Sequence, residues 1–170
     1  MNDEHRERIK MMFDIEGDIK GIGYQQWRGR VALANGGVFG QGFLQGDLTQ
    51  AGVIPEGHND FIFVSIGEEL GMVGCIVVII LLAAICLRCI RIARISNNDA
   101  GKYICVGVFA MLFAQSVINI GMCTSVLPVI GVTLPFFSAG GTSLLCLYLG
   151  IGLALNVYMH RNSRTIYLHD

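Results

Sequence analysis

Charge is missing from two long stretches of this chain. Between Glu69 and Arg88 there is no Asp, Glu, Lys or Arg, so Leu70 to Leu87 is an uncharged window of 18 residues. A helix of that length spans about 27 Å, close to the hydrocarbon thickness of a bilayer. The pattern predicts a spanning helix that begins near Asp60 or Phe61 and ends near Ile92. A second uncharged stretch, 58 residues long, separates Lys102 from Arg161. It is too long for one span and suits two, over about 103–125 and 143–159. Between them stand the turn signals Pro128, Gly131, Pro135 and Gly140-Gly141.

The first 59 residues follow a different pattern. Gly21, Gly23, Gly29, Gly36, Gly37, Gly40, Gly42 and Gly46 fall within one short segment. Glycine at this density favours turns and close backbone approach and opposes long helices, so 1–59 is expected to be a loop region. Two readings stay open for it: a flexible loop, or a surface on which a ligand meets the backbone.

Composition agrees with the pattern. The 170 residues are 53% hydrophobic, with mean hydropathy +0.57 and net charge −1. That much apolar surface is hard to hide in one small soluble core. The charge balance gives no broad attraction to nucleic acid, and no nucleic-acid motif is present. Met1 to Lys10 is charged and lacks the apolar core of a signal peptide. The six cysteines lie in or beside apolar runs. Cys86-Leu87-Arg88-Cys89 has no second ligand pair, so small apolar packing is favoured over zinc.

Basic residues set the expected orientation. Arg88, Arg91, Arg94 and Lys102 flank the first inter-helix connection, and Arg161 and Arg164 follow the last helix. Both sites are expected to face the cytoplasm. The region up to Asp60 and the loop from Val126 to Thr142 then share the external face. The fold class is therefore an all-α integral membrane protein. It has about three transmembrane helices, in a region over 60–170, preceded by a Gly-rich extracytoplasmic loop region.

The polar groups at the mouth of the first span carry the candidate chemistry. Pro55-Glu56-Gly57-His58-Asn59-Asp60 leads into it, and Glu68 and Glu69 follow. Carboxylates are costly where water thins out, so their presence needs a reason. Asn59 or Asp60 could cap the helix, which is the plain explanation. On a continuous helix Asp60 and Glu68 would border one cleft, and Glu69 would point elsewhere. His58 suits a metal or phosphate, or an ordinary loop position. Arg28 and Arg30, beside Trp27, suit a diphosphate or a lipid headgroup equally well. Gln115 and Asn119, four apart in the second span, suit contacts between helices. Gly67 and Gly71 form a spacing that permits close packing.

Several segments together resemble one family, the SEDS proteins of the RodA, FtsW and SpoVE type. They are Asp18 to Gln26, Asn35 to Gly42, Leu48-Thr49-Gln50, Pro55 to Gly74, Asn119-Ile120-Gly121-Met122 and Leu127 to Ser143. Their order and spacing are similar to the family's C-terminal portion and cover nearly the whole chain. The resemblance implies a peptidoglycan glycosyltransferase that polymerises lipid II into a growing glycan strand during elongation, division or sporulation. It implies a bacterial cytoplasmic membrane location and a class B penicillin-binding protein as partner. The motif Pro-Glu-x-His-x-Asp-Phe-Ile-Phe places the family's catalytic aspartate at Asp60. Glu56, His58, Glu68 and Arg28 are then the candidate substrate-binding residues.

The chemistry fits the residue. A sugar hydroxyl is a poor nucleophile, and a positioned carboxylate can take its proton as it attacks the donor's anomeric carbon. The lipid diphosphate is already a good leaving group, which a divalent cation (Mg or Mn) or an Arg could assist. One carboxylate then suffices. Two departures stand out: Ala139 where the family has Tyr in Ser-Tyr-Gly-Gly, and Thr133 where a proline is common. The family also has more spanning helices than this chain supports, so the chain reads as a C-terminal fragment of a polytopic bundle, inactive by itself. Two rival functions come from other classes: a non-catalytic membrane scaffold, and a flippase for lipid-linked precursors.

Overall fold

The computed structural model describes residues 22–50 and 59–161. Five helices make up its regular structure: α1 (Ile22–Gly36), α2 (Asp47–Gln50), α3 (Ile62–Ile95), α4 (Asp99–Cys123) and α5 (Gly141–Met159). No strand occurs among the described residues. The helices α3, α4 and α5 are long and apolar enough to cross a membrane. Their bounds lie within a few residues of those the charge-free windows predict.

The three long helices pack through narrow stripes. Beyond its first turns, α3 buries Gly74, Val78, Leu82, Cys86, Cys89 and Ala93, spaced four, four, four, three and four apart. On α4 the stripe runs through Gly101, Cys105, Val108, Leu112, Ser116, Asn119 and Cys123, with Met122 buried beside it, and on α5 through Leu147, Gly150 and Ala154. This is the one-faced spacing of a helix. Cys86, Cys89 and Cys105 sit at these seams among Ala, Val and Leu, where a small side chain lets the backbones approach. The opposite faces expose Ile76, Ile80, Leu81 and Leu87 on α3, and Leu145, Leu149 and Leu153 on α5. Such faces suit lipid or further helices.

A tight connection joins α3 to α4. Ser96 N–H closes α3 on Ile92 O at 3.1 Å, and the Asn98 side chain caps α4 by accepting from Ala100 N–H at 3.1 Å. Asn97 Nδ2 donates to Arg161 O at 3.0 Å, which ties this connection to the end of α5. The basic residues Arg94, Lys102 and Arg161 thus gather at one end of the bundle. Asp60 and the loop 124–140 stand at the other.

The glycine-rich segment departs from the expected loop, because it contains α1, a helix of 15 residues. Its small residues are placed for contact. Gly29, Ala32 and Gly36 recur at three and seven residues, on one face. Gly29 lies against Val64 and Phe61, Ala32 is fully buried, and a Cβ on Gly36 would overlap the carbonyl of Gly67. Close packing on α3 outweighs the low helix propensity of glycine.

A second surprise lies in α3, which is broken at Gly71 (φ 69°, ψ −165°). The break removes the helical bonds from Met72 N–H to Glu68 O and from Val73 N–H to Glu69 O. The segment 37–42 replaces them. Gln41 N–H and Gly42 N–H donate to Glu68 O and Glu69 O, each at 3.0 Å. Gly37 O and Val38 O accept from Met72 N–H at 3.0 Å and Val73 N–H at 3.2 Å. Backbone that leaves the helix beside a membrane-length apolar run must find partners within the protein, and this clasp supplies them.

Candidate active site

Asp60 does not cap α3. The N-cap is Phe61, without a side-chain cap bond, and Asp60 lies in the turn before it. The geometry expected of a continuous helix from Asp60 to Glu68 therefore does not apply. Phe61 is buried against α1, and its carbonyl accepts from Val64 N–H at 2.9 Å. This anchors the turn and leaves Asp60 half-buried.

The main chain of Asp60 is held from α4. Asn119 Nδ2 donates to Asp60 O at 2.8 Å, and Cys123 Sγ lies 3.7 Å from the same oxygen. The Asp60 carboxylate faces the loop between α4 and α5, where a Cβ on Gly131 would lie 3.4 Å from Asp60 Oδ2. Gly131 has φ 76°, a region open to glycine and costly for most residues.

That loop is folded. Val126 and Leu127 N–H donate to Gly121 O at 2.9 and 3.0 Å, and Gln26 Nε2 donates to Leu127 O at 2.8 Å from α1. Leu134 N–H donates to Ser138 Oγ at 2.7 Å, and Ser138 N–H donates back to Leu134 O at 3.1 Å. Thr133, where the family often has proline, uses its hydroxyl on Ser143 Oγ at 2.9 Å. The departure thus gains a bond that proline could not make. Backbone satisfied in this way can sit at the membrane edge without helix.

The other candidates divide. Glu68 is fully buried, and its carboxylate is taken up by the chain itself. Leu48 N–H donates to Oε1, and Thr49 N–H to Oε2, both at 2.9 Å; Thr49 Oγ1 donates to Oε2 at 2.5 Å. Glu68 therefore holds α2 against α3 and does not border an open cleft with Asp60. This corrects its assignment to substrate binding. Glu69 accepts from Gln50 Nε2 at 3.3 Å and braces the same segment. Arg28 stacks on Trp27, 5.7 Å from the ring centroid. Because Gly29 packs on Phe61, Arg28 and Asp60 each flank one contact. Glu56 and His58 lie outside the described residues. Among the described residues no group of three His, Cys, Asp or Glu side chains could hold a metal ion.

Asn119 and Gln26 are the site residues whose roles the sequence did not specify. Asn119 was readable as a polar group that lipid would not tolerate alone, but its partners are the Asp60 turn and the loop, not a facing helix.

A half-buried carboxylate on a braced turn, under a folded loop rich in Gly and Pro, coincides with the two longest motifs of the chain. The family model for the cell cycle proteins FtsW, RodA and SpoVE matches residues 1–163. The chain belongs to this family. It is 37% identical over 161 residues to the peptidoglycan glycosyltransferase MrdB of Escherichia coli strain K12, covering 95% of this chain and 44% of the relative. It is 41% identical over 151 residues to the probable peptidoglycan glycosyltransferase FtsW of Enterococcus hirae, covering 89% of this chain and 38% of the relative. The chain thus spans less than half the length of these curated relatives. Its fold is similar to a chain in the solved structure described as "Structural coordination of polymerization and crosslinking by a peptidoglycan synthase complex". That match has a TM-score of 0.74 and 29% identity, and covers 96% of this chain and 44% of that one. This family member is a membrane protein, as its three long apolar helices require.

Proposed function

We propose that this chain is the C-terminal, catalytic part of a peptidoglycan glycosyltransferase, with Asp60 as the general base. The observation that carries the reading is the placement of Asp60. Its main chain is fixed by Asn119, and its carboxylate is turned toward the Gly131 loop. Precise placement of a proton acceptor is what such a reaction asks of a protein.

In the proposed step a hydroxyl of the acceptor sugar attacks the anomeric carbon of the donor, and the new glycosidic C–O bond forms. The bond from that carbon to the lipid diphosphate breaks, and the diphosphate leaves with the electron pair. The hydroxyl proton passes to the Asp60 carboxylate. The donor is lipid II or a strand grown from it. A divalent cation, Mg or Mn, would neutralise the leaving diphosphate. The described residues offer no cluster to hold it, so no step is assigned to it. Arg28, close in the fold to the Asp60 turn, is a candidate for contact with the diphosphate.

The reading places the protein in the bacterial cytoplasmic membrane, with Asp60 on the outer face and a class B penicillin-binding protein beside it. Elongation, division and sporulation all remain within its scope. The activity is proposed for a polytopic protein of the relatives' length, of which this chain supplies the base. In that protein Asp60→Asn should lower glycan polymerisation from lipid II by at least about 10²-fold. Membrane accumulation and co-purification with the partner should persist, because Asn119 binds the main chain of Asp60 and not its carboxylate. Normal polymerisation by the Asn variant would leave a scaffold or a flippase as the better reading.

A further inference from the structure

Asn119 is fully buried in the last turns of α4. Its amide nitrogen donates to Asp60 O at 2.8 Å and to Val132 O at 2.6 Å. Those carbonyls belong to the two segments that enclose the Asp60 carboxylate. One is the turn that carries Asp60. The other is the loop segment whose Gly131, adjacent to Val132, faces Oδ2. Cys123 packs one turn further on, with Sγ 3.7 Å from Asn119 Oδ1.

The residue type follows from this geometry. Two carbonyls converge on one atom, and only an amine or amide nitrogen presents two protons there. Lys and Arg are too long for the site and would bring charge into an apolar bundle. Asp has the shape of Asn but would turn an oxygen toward both carbonyls. Leu has nearly that shape and would leave both without a donor. An asparagine serving only to hold helices together would bond to a facing helix. Here both bonds leave the helices and end on the two walls of the site.

We propose that Asn119 is a positioning residue for the Asp60 carboxylate, fixing its distance and angle to the Gly131 loop. The role rests on the reading of Asp60 as the general base. Asn119 touches no reacting atom. It acts by clamping the turn and the loop to one nitrogen, so that the carboxylate keeps one orientation while substrate is exchanged.

The test uses the polytopic protein of the relatives' length, reconstituted with lipid II. Asn119→Asp and Asn119→Leu are made in the wild-type and Asp60→Asn backgrounds. In the wild-type background kcat should fall by about 10²-fold, the scale of a misplaced reacting group. KM should change by less than about threefold, since substrate contacts remain. In the Asp60→Asn background Asn119→Asp should cost less than about twofold more, because the group it positions has gone. Losses that multiply equally in both backgrounds would overturn the proposal, as would wild-type kcat in either Asn119 variant. Failure of both variants to accumulate in the membrane would also overturn it, by placing Asn119 in the scaffold. If Asp60→Asn itself polymerises normally, the general-base reading falls first. If Asp60→Asn is inactive while Asn119→Asp is not, the positioning role alone fails.

Discussion

Replacing Gly71 by Ala should unfasten the clasp that carries α1 and α2 onto α3. Gly71 has φ 69° and ψ −165°, a combination open to glycine and strained by about 1–3 kcal/mol in other residues. A Cβ there would also overlap the main chain of Gly40 and Val38, which cannot rotate aside as a side chain could. The cheapest escape is for α3 to straighten. It would then recover its own bonds from Met72 and Val73 N–H and expel 37–42. That leaves four main-chain groups, Gly37 O, Val38 O, Gln41 N–H and Gly42 N–H, without the partners they now have. At about 1 kcal/mol or more for each such group where water is scarce, the loss is about 4 kcal/mol. Trp27, the only tryptophan, lies on α1 and reports its release. Detergent-solubilised protein titrated with a denaturing detergent should lose its native Trp27 emission earlier for Gly71→Ala than for wild type. Faster hydrogen exchange at Gln41 and Gly42 should accompany it. A variant that unfolds within about 0.5 kcal/mol of wild type, the range of neutral surface changes, would refute the clasp.

Two further outcomes follow from other parts of the fold. Glu68→Gln should destabilise the α2 segment by about 2–3 kcal/mol, since one of the two acceptor oxygens becomes an NH2 that must face the N–H of either Leu48 or Thr49; Trp27-monitored unfolding checks this, and kcat per folded molecule of the polytopic protein should hold. Cysteines at Val126 and Arg91, in a background without the six native ones, should react oppositely with an impermeant thiol reagent in intact cells. Position 126 should be labelled and position 91 protected; the reverse would invert the topology.

The spans were legible because charge is so costly in a bilayer that its absence marks them. Glu69 and Arg88 bound the uncharged core of α3, and the uncharged stretch from Lys102 to Arg161 holds nearly all of α4 and the whole of α5. The loop between α4 and α5 was legible from Pro128, Gly131 and Pro135. The glycine-rich segment was not, because composition reports what a residue permits and not what it meets. Gly29 and Gly36 permit a loop, yet α3 lies close enough to make them a helix face. Glu68 was misplaced for a related reason. Helical periodicity gives the angle between two side chains but cannot show that Leu48 and Thr49, some twenty residues earlier, supply its donors. Asp60 came from motif resemblance, and its surroundings came only from the fold. Nothing in the local sequence pairs Asn119 with a carbonyl 59 residues away.

The central claim is that Asp60 accepts a proton, and the most direct measurement is the pH dependence of kcat/KM for lipid II polymerisation by the polytopic protein of the relatives' length. A general base works only when ionised, so the wild-type rate should fall as pH drops and the carboxylate becomes protonated. Asp60→Glu should keep that acid-side fall at a lower rate. In Asp60→Asn the residual rate should lose the fall altogether, since no proton acceptor remains at that position. If Asp60→Asn keeps the wild-type acid-side profile, the titrating base is another group and the account of this site is wrong.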